Sequence, residues 1–296
     1  ADTVEVVLGG DPTGALMNAT DTGERTEVRV DQKNHGFLFD HSIDGTPVIP
    51  MVLALEWFAR AARSAARHRI VTSLLDFEVV RGIALPDLGE RSARFLVDAK
   101  TAPGGAEIAL ELRADDGALH YRARALTETA QNLATTNGQQ EAVDLKLEPW
   151  GDKQIYDHPA LFHGPGFQVI EQVDGVSNEG IAVRLKGVAA SDWTGDGEPG
   201  GAADGGWYTD PAALDGGLQA AILWCDHVMD GNALPTKIAE IRLGHALPTS
   251  DGLRCEVSGR ESANHRGISD VRFLDGNGQL LFELRGLQTH VRSDRA

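Results

Sequence analysis

The chain has 296 residues with a formal net charge of -17, 24% of them charged and 42% apolar, which allows a sizeable core in one large or two modest domains and excludes a disordered chain. Such acidity argues against binding a phosphate backbone, whose partners need clustered Lys and Arg. Cys225 and Cys255 give neither a disulfide framework nor a repeated Cys-x-x-Cys metal spacing, no apolar run reaches membrane-spanning length, and the Ala-Asp-Thr-Val-Glu start lacks the regions of a secretory signal, so the cytoplasm is the default compartment.

Taken in chain order, the first long element is a helix from Met51 to Arg69, entered through Pro50, where a missing N–H costs nothing. Met51, Val52, Leu55, Phe58, Ala59 and Ala62 recur at helical spacing, and the first turns are apolar almost all round, so this helix is wrapped on most sides. Arg60, Arg63, Arg67, His68 and Arg69 gather near its end. They read either as cations complementing the helix macrodipole or as a local basic patch for an acidic partner. Strand character follows at 74–80, 93–99, 107–112 and 121–127, separated by turn signals such as Pro103-Gly104-Gly105 and Asp115-Asp116-Gly117.

A Gln/Asn/Thr-rich stretch from Thr129 to Gln140 has no apolar period and reads as a linker, which gives units at 1–130 and 145–296 joined by 131–144. The order then repeats. Ile181 to Leu185 has strand character, and a Gly-rich loop runs from Gly195 to Gly206. A second helix spans Pro211 to Met229 with Leu214, Leu218, Ile222, Cys225 and Met229 on one side, Cys225 as a small core residue. Strands are expected at 237–243, 254–259, 267–274 and 280–291, with Asp275-Gly276-Asn277-Gly278 as a hairpin turn. The fold class is therefore α+β: two tandem units, each a long central helix wrapped by a curved antiparallel sheet. Two unrelated α+β domains would share this element order. The acidic start without an initiating methionine suggests a piece of a longer polypeptide, and processing or cloning would look the same.

Three motifs carry the chemistry. His41, Gly45 and Pro50 stand in a His-x-x-x-Gly-x-x-x-x-Pro spacing just ahead of the first helix; Asp215 and Gln219 form Asp-x-x-x-Gln at the start of the second; and Phe162-His163-Gly164-Pro165-Gly166-Phe167 lies between them. In this order the motifs resemble those of the dehydratase domains of polyketide and polyunsaturated-fatty-acid synthases, over roughly Asp31 to His290. The last motif is similar to that family's Tyr-Gly-Pro-x-Phe loop, with His163 in the place of tyrosine. That variant, and the run Glu56-Trp57-Phe58-Ala59-Arg60-Ala61-Ala62, look more like the polyunsaturated-fatty-acid and enediyne branches.

The resemblance implies a double hotdog fold and removal of water from a 3-hydroxyacyl thioester. The substrate would ride on the phosphopantetheine of an acyl carrier protein, so no cofactor of the chain's own is implied. Implied partners are the carrier protein, other domains of a multienzyme synthase and, as in related domains, a second copy. Nucleic acid and membrane are not among them.

Elimination needs a base for the C2 proton, an acid for the departing hydroxyl and a donor for the thioester oxygen. His41 fits the base, since imidazole titrates near neutrality. Asp215 fits the acid, provided burial lifts its pKa, and Gln219, one turn on, can orient its carboxyl. Asp210 is a rival for the same role. Gly45 is the local candidate for the thioester-oxygen donor, and equally a turn glycine that only permits the loop shape. Pro50 fixes the approach to the helix. His163 either hydrogen-bonds the acid or, with Pro165 and Phe167, shapes an apolar wall. With His41 in one unit and Asp215 in the other, the single site is expected where the units meet, with the acyl chain between the central helices.

Other classes are weighed on the same residues. His35, Asp40, His41 and Asp44 cluster in sequence, but no metal-ligand spacing supports them. A thioesterase of related fold would release free acid, and a scaffold domain that has lost its chemistry would show no turnover.

Overall fold

The structure, a computed structural model, describes residues 4–5, 23–129, 144–151, 154–187, 193, 207–243 and 253–291. Within it the chain forms two units, Ala1–Asn137 with Ala189–Pro211, and Gly138–Val188 with Ala212–Ala296. The expected linker at 131–144 lies mostly, and the Gly-rich loop at 195–206 wholly, outside the described residues.

In the first unit the two-residue strand β1 (Val4–Glu5) runs parallel to β2 (Glu24–Val30). Asp31 then caps a single helical turn, α1 (Gln32–His35), its carboxylate accepting from the Asn34 amide at 2.9 Å. A 3-10 turn, Gly36–Asp40, leads to a small hairpin, β3 (Ser42–Ile43) and β4 (Thr46–Pro47). Pro50 occupies the N-cap of α2 (Met51–Ala65), its φ of -65° preset for the turn into the helix.

Helix α2 is buried from Met51 through Ala59, as its all-round apolar start predicts. It packs on β2, β5 (Ile70–Val79), β6 (Ala93–Thr101), β7 (Glu107–Ala114) and β8 (Leu119–Glu128). Alternate residues of these strands point into the core, among them Phe95, Val97 and Ala99 on β6 and Ile108, Leu110 and Leu112 on β7. The strands lie in the order β1-β2-β6-β7-β8-β5, antiparallel after the first pair.

The helix ends four residues before Arg69, short of the expected boundary. Arg67 turns into the left-handed region at φ 55°, and the Arg69 guanidinium donates to the Thr127 hydroxyl and carbonyl at 2.6 and 2.8 Å. Arg69 is thereby committed to β8 rather than to another helical turn.

Residues 189–211, placed by sequence in the second unit, group with the first. The cause is local. Trp193 stacks on Phe37 at 5.1 Å, and the fully buried Glu56 carboxylate of α2 accepts from the Tyr208 amide (2.8 Å), the Thr209 amide (2.7 Å) and the Thr209 hydroxyl (2.6 Å), with Arg60 on its other side. A buried carboxylate persists only when its lone pairs are filled in this way.

In the second unit, β9 (Ile170–Ser177) and β10 (Gly180–Leu185) form a hairpin, and α3 (Pro211–Met229) covers the residues its spacing predicts. Four strands follow: β11 (Ala233–Arg242), β12 (Leu253–Ala263), β13 (Arg266–Leu274) and β14 (Leu280–Val291). Their order is β11-β14-β13-β12-β10-β9, antiparallel throughout.

Helix α3 lies close on this sheet because it carries two glycines in succession. A Cβ on Gly216 would come within 2.8 Å of Leu185 and Val169, and one on Gly217 within 2.5 Å of Phe273. Cys225 is a core residue as expected, its sulfur 2.6 Å from the Thr289 hydroxyl, and burial pushes its thiol up to about 11. No helix among the described residues is long and apolar enough to cross a membrane.

Candidate active site

The spacing of the first motif has a geometric origin. Asp44 and Gly45 both have positive φ, 51° and 79°, the signature of a type I′ turn, so Ile43 pairs with Thr46 and Ser42 with Pro47. One pair further out, the Val48 amide donates to the His41 carbonyl at 3.0 Å. Val48 is anchored on its other side by a bridge to Ala84. The His41 side chain turns back across the same pair, with Nδ1 2.9 Å from the Val48 carbonyl oxygen. A carbonyl only accepts, so Nδ1 carries the proton and Nε2 keeps its lone pair. Burial is the main reason that the His41 pKa falls to about 4, opposed by the Val48 bond. The ring is a neutral base with a fixed tautomer.

Gly45 is exposed, and a Cβ there would meet nothing within 4 Å. Its positive φ of 79° accounts for the glycine on conformational grounds, as the turn reading holds. Pro50 caps the helix as expected and is buried.

The second unit holds the carboxyl. Asp215 lies in the second turn of α3, 3% exposed. Burial raises its pKa to about 7, partly countered by Gln219. The Gln219 Nε2 donates to Asp215 Oδ2 at 2.7 Å and to the Phe167 carbonyl at 2.8 Å. With Oδ2 accepting from the amide, Oδ1 is the oxygen left to carry the acid proton. Asp210, the rival, precedes the helix and groups with the first unit.

The loop from His163 to Phe167 serves the same carboxyl. Gly164 opens a 3-10 turn over Pro165–Phe167, and the turn brings the Phe167 carbonyl to Gln219. The His163 ring is stacked on Phe162 at 4.2 Å, with Nε2 3.5 Å from Asp215 Oδ2. The His163 ring thus faces the Asp215 carboxyl. Of the two expected wall residues, Phe167 is fully buried but Pro165 is exposed. Pro165 starts the turn and is corrected to that role.

Two residues with long-range polar partners escape a reading by motif. Tyr156 accepts from the Ile170 amide at 2.7 Å and donates to Gln219 Oε1 at 2.9 Å. Glu56 is visible in sequence only as part of a family-like run. Of the basic group at the end of α2 and just beyond it, Arg60 is drawn onto Glu56 and lies 5.9 Å from the Trp207 ring, while Arg69 is bound to Thr127. Arg63, Arg67 and His68 remain exposed. The patch is therefore smaller than the sequence suggests. Among the described residues, His35, Asp40, His41 and Asp44 do not form a group whose donor atoms could hold one ion.

Two family models match the chain: the polyketide synthase dehydratase domain over residues 14–113, and the polyketide synthase dehydratase N-terminal domain over residues 152–296. A polyunsaturated fatty acid synthase polypeptide from a Thraustochytrium species is 24% identical over 96% of this chain, which spans 10% of that relative's length. The dehydratase domain from the CurF module of the curacin polyketide synthase superposes with a TM-score of 0.73 at 17% identity, covering 96% of this chain and 98% of that one. A dehydratase domain of a trans-AT polyketide synthase from Brevibacillus brevis does so with a TM-score of 0.71 at 19% identity, covering 94% and 97%. These structural likenesses establish the fold, a double hotdog. Taken with the two family matches and the three motifs in order, they show that the chain belongs to the polyketide synthase dehydratase family.

Proposed function

We propose that the protein removes water from a 3-hydroxyacyl thioester to give the 2-enoyl thioester, with His41 as the base and Asp215 as the acid on one bound substrate. The observation that carries this reading is the opposite tuning of the two groups. Burial holds the imidazole unprotonated, with pKa about 4, and holds the carboxyl protonated up to about 7. Two titratable groups pushed apart in this sense are ready as base and acid at the same pH.

The step follows from the atoms available. His41 Nε2 takes a proton from C2, the C3–O bond breaks, and the proton on Asp215 Oδ1 goes to the departing hydroxyl, which leaves as water. The C2–C3 double bond forms from the C–H electron pair. The enzyme ends with a protonated imidazole and a carboxylate, and exchange with solvent restores both. Gln219 holds the carboxyl during the transfer. His163 supplies a second polar neighbour at Oδ2, and its direct contribution is part of the same proposal.

The substrate is read as an acyl group on the phosphopantetheine of a carrier protein, and the chain as one domain of a polyketide or polyunsaturated-fatty-acid synthase. The relatives support that setting. The exposed Arg63, Arg67 and His68 are the remaining candidates for carrier contact. The test is mass spectrometry of defined 3-hydroxyacyl carrier substrates of graded length. Loss of one water from the acyl group is expected, and reverse hydration of a 2-enoyl thioester. Release of free acid would make the protein a thioesterase; no conversion in either direction would make it a scaffold.

A further inference from the structure

The orientation of the acid traces back through hydrogen bonds to one phenol that none of the motifs contains. The Ile170 amide can only donate, so the Tyr156 oxygen accepts from it at 2.7 Å, and the single phenolic proton goes to Gln219 Oε1 at 2.9 Å. An amide whose oxygen accepts on one side presents its NH2 on the other. There Nε2 meets two acceptors, Asp215 Oδ2 and the Phe167 carbonyl.

We propose that Tyr156 is a positioning residue for dehydration: acting through Gln219, it fixes the Asp215 carboxyl and strengthens it as an acid without touching substrate. This rests on reading Asp215 as the acid. A donor at Oε1 polarises the amide and makes its N–H a better donor to Oδ2. That bond favours the carboxylate formed when the proton leaves. Were the amide reversed, Oε1 would face the carboxyl and accept the proton that the leaving hydroxyl needs. The Phe167 carbonyl opposes reversal independently, so loss of the phenol weakens the arrangement without inverting it.

The position of the ring suits this role. Tyr156 is part-buried, and its oxygen is held by backbone from the first residue of β9, while its partner sits on α3. The phenol therefore ties the sheet to the catalytic turn of the helix. Burial pushes its own pKa up, so it stays a donor across the working range.

The test follows the Asp215 carboxyl directly. Its protonated C=O infrared band, assigned by its absence in Asp215→Asn, is titrated in wild type, Tyr156→Phe, Gln219→Ala and the double variant, with kcat and KM measured alongside. In Tyr156→Phe the band should titrate roughly half a unit to one unit higher, the size of one hydrogen bond. Its kcat should fall about three- to tenfold with KM unchanged. In the Gln219→Ala background Tyr156→Phe should add nothing to the titration shift.

Because Tyr156→Phe leaves the Ile170 amide without its acceptor, 3-fluorotyrosine at position 156 serves as a variant that keeps the hydroxyl. As a stronger donor it should move the band to lower pH. A band that titrates alike in wild type and both Tyr156 variants would overturn the proposal. So would a further shift in the Gln219→Ala background, since Tyr156 would then act by another route. Shifted bands in a wild type that forms no enoyl product would leave this coupling intact and remove the dehydratase reading instead.

Discussion

His41 Nδ1 stands 2.9 Å from the carbonyl oxygen of Val48, the residue opposite it across the Asp44–Gly45 turn. The bond assigns the ring's one proton and leaves Nε2 free of it, so the base needs no deprotonation above its pKa of about 4. Asp215 must be protonated to act, which fails as pH rises through about 7. The kcat/KM profile on a 3-hydroxyacyl thioester should therefore rise through the first value and fall through the second, a bell belonging to the free enzyme. A profile that continues to climb above neutrality would remove Asp215 as the acid.

Asp215 also bears on stability. Its folded pKa, about 7, lies above the unfolded value of 3.8. Its stabilising share is thus complete below the unfolded value and is lost as pH rises through the folded one. Above neutrality the wild type carries a buried charge that Asp215→Asn does not. The Asn variant should be more stable than wild type at about pH 8.5, by roughly 1 to 3 kcal/mol, and the gain should shrink as pH falls toward the unfolded value of 3.8. Its turnover should fall by roughly two to four orders of magnitude, as should that of His41→Ala. Calorimetry at the two pH values checks the first statement and single-turnover kinetics the second.

Gly45 offers a clean separation of turn from ligand contact. Gly45→Asn keeps the amide and tolerates positive φ, whereas Gly45→Val opposes it. The Asn variant should retain stability and turnover within a few-fold, while Val should cost about 1 to 2 kcal/mol. Loss of activity in Gly45→Asn at full stability would restore close approach of this residue to substrate.

Glu56 is expected to be the costliest single polar residue of α2. Glu56→Ala leaves the Tyr208 and Thr209 amides, the Thr209 hydroxyl and Arg60 without their acceptor, a loss on the order of 3 kcal/mol, and Glu56→Gln should recover about half of it. Urea unfolding reads both. Equal stability for all three forms would mean that the 207–209 segment does not depend on this carboxylate.

His163→Phe keeps the stacking on Phe162 and removes the nitrogen 3.5 Å from Asp215 Oδ2. A drop of about tenfold in kcat is expected, the size of one polar contact. Near-normal turnover would leave His163 only its packing role.

What can be read from the sequence follows from the range of the interactions. Helix α3 is legible to the residue because its apolar period is uninterrupted, and β6, β7 and β8 because turn signals bound them. Strand β2 escapes because Glu24–Val30 offers only Val28 and Val30 as fully buried apolar residues, and β9 because Ile170–Ser177 is half polar. Hairpin β3–β4 is too short for any period, yet it is the reason that the histidine, glycine and proline fall at their spacing. Motifs alone point to His41, Asp215 and Gln219. They do not point to Tyr156 and Glu56, whose partners lie 63 and 152 positions away, and local pattern carries no trace of such contacts.

Two of the three donors that residues 208 and 209 send to Glu56 are peptide N–H groups, which every residue except proline supplies. Side chains along that short approach to α3 can therefore vary with little effect on how it is held, whereas position 56 cannot. Substitution in a family of such chains should accumulate on one partner of this contact and spare the other.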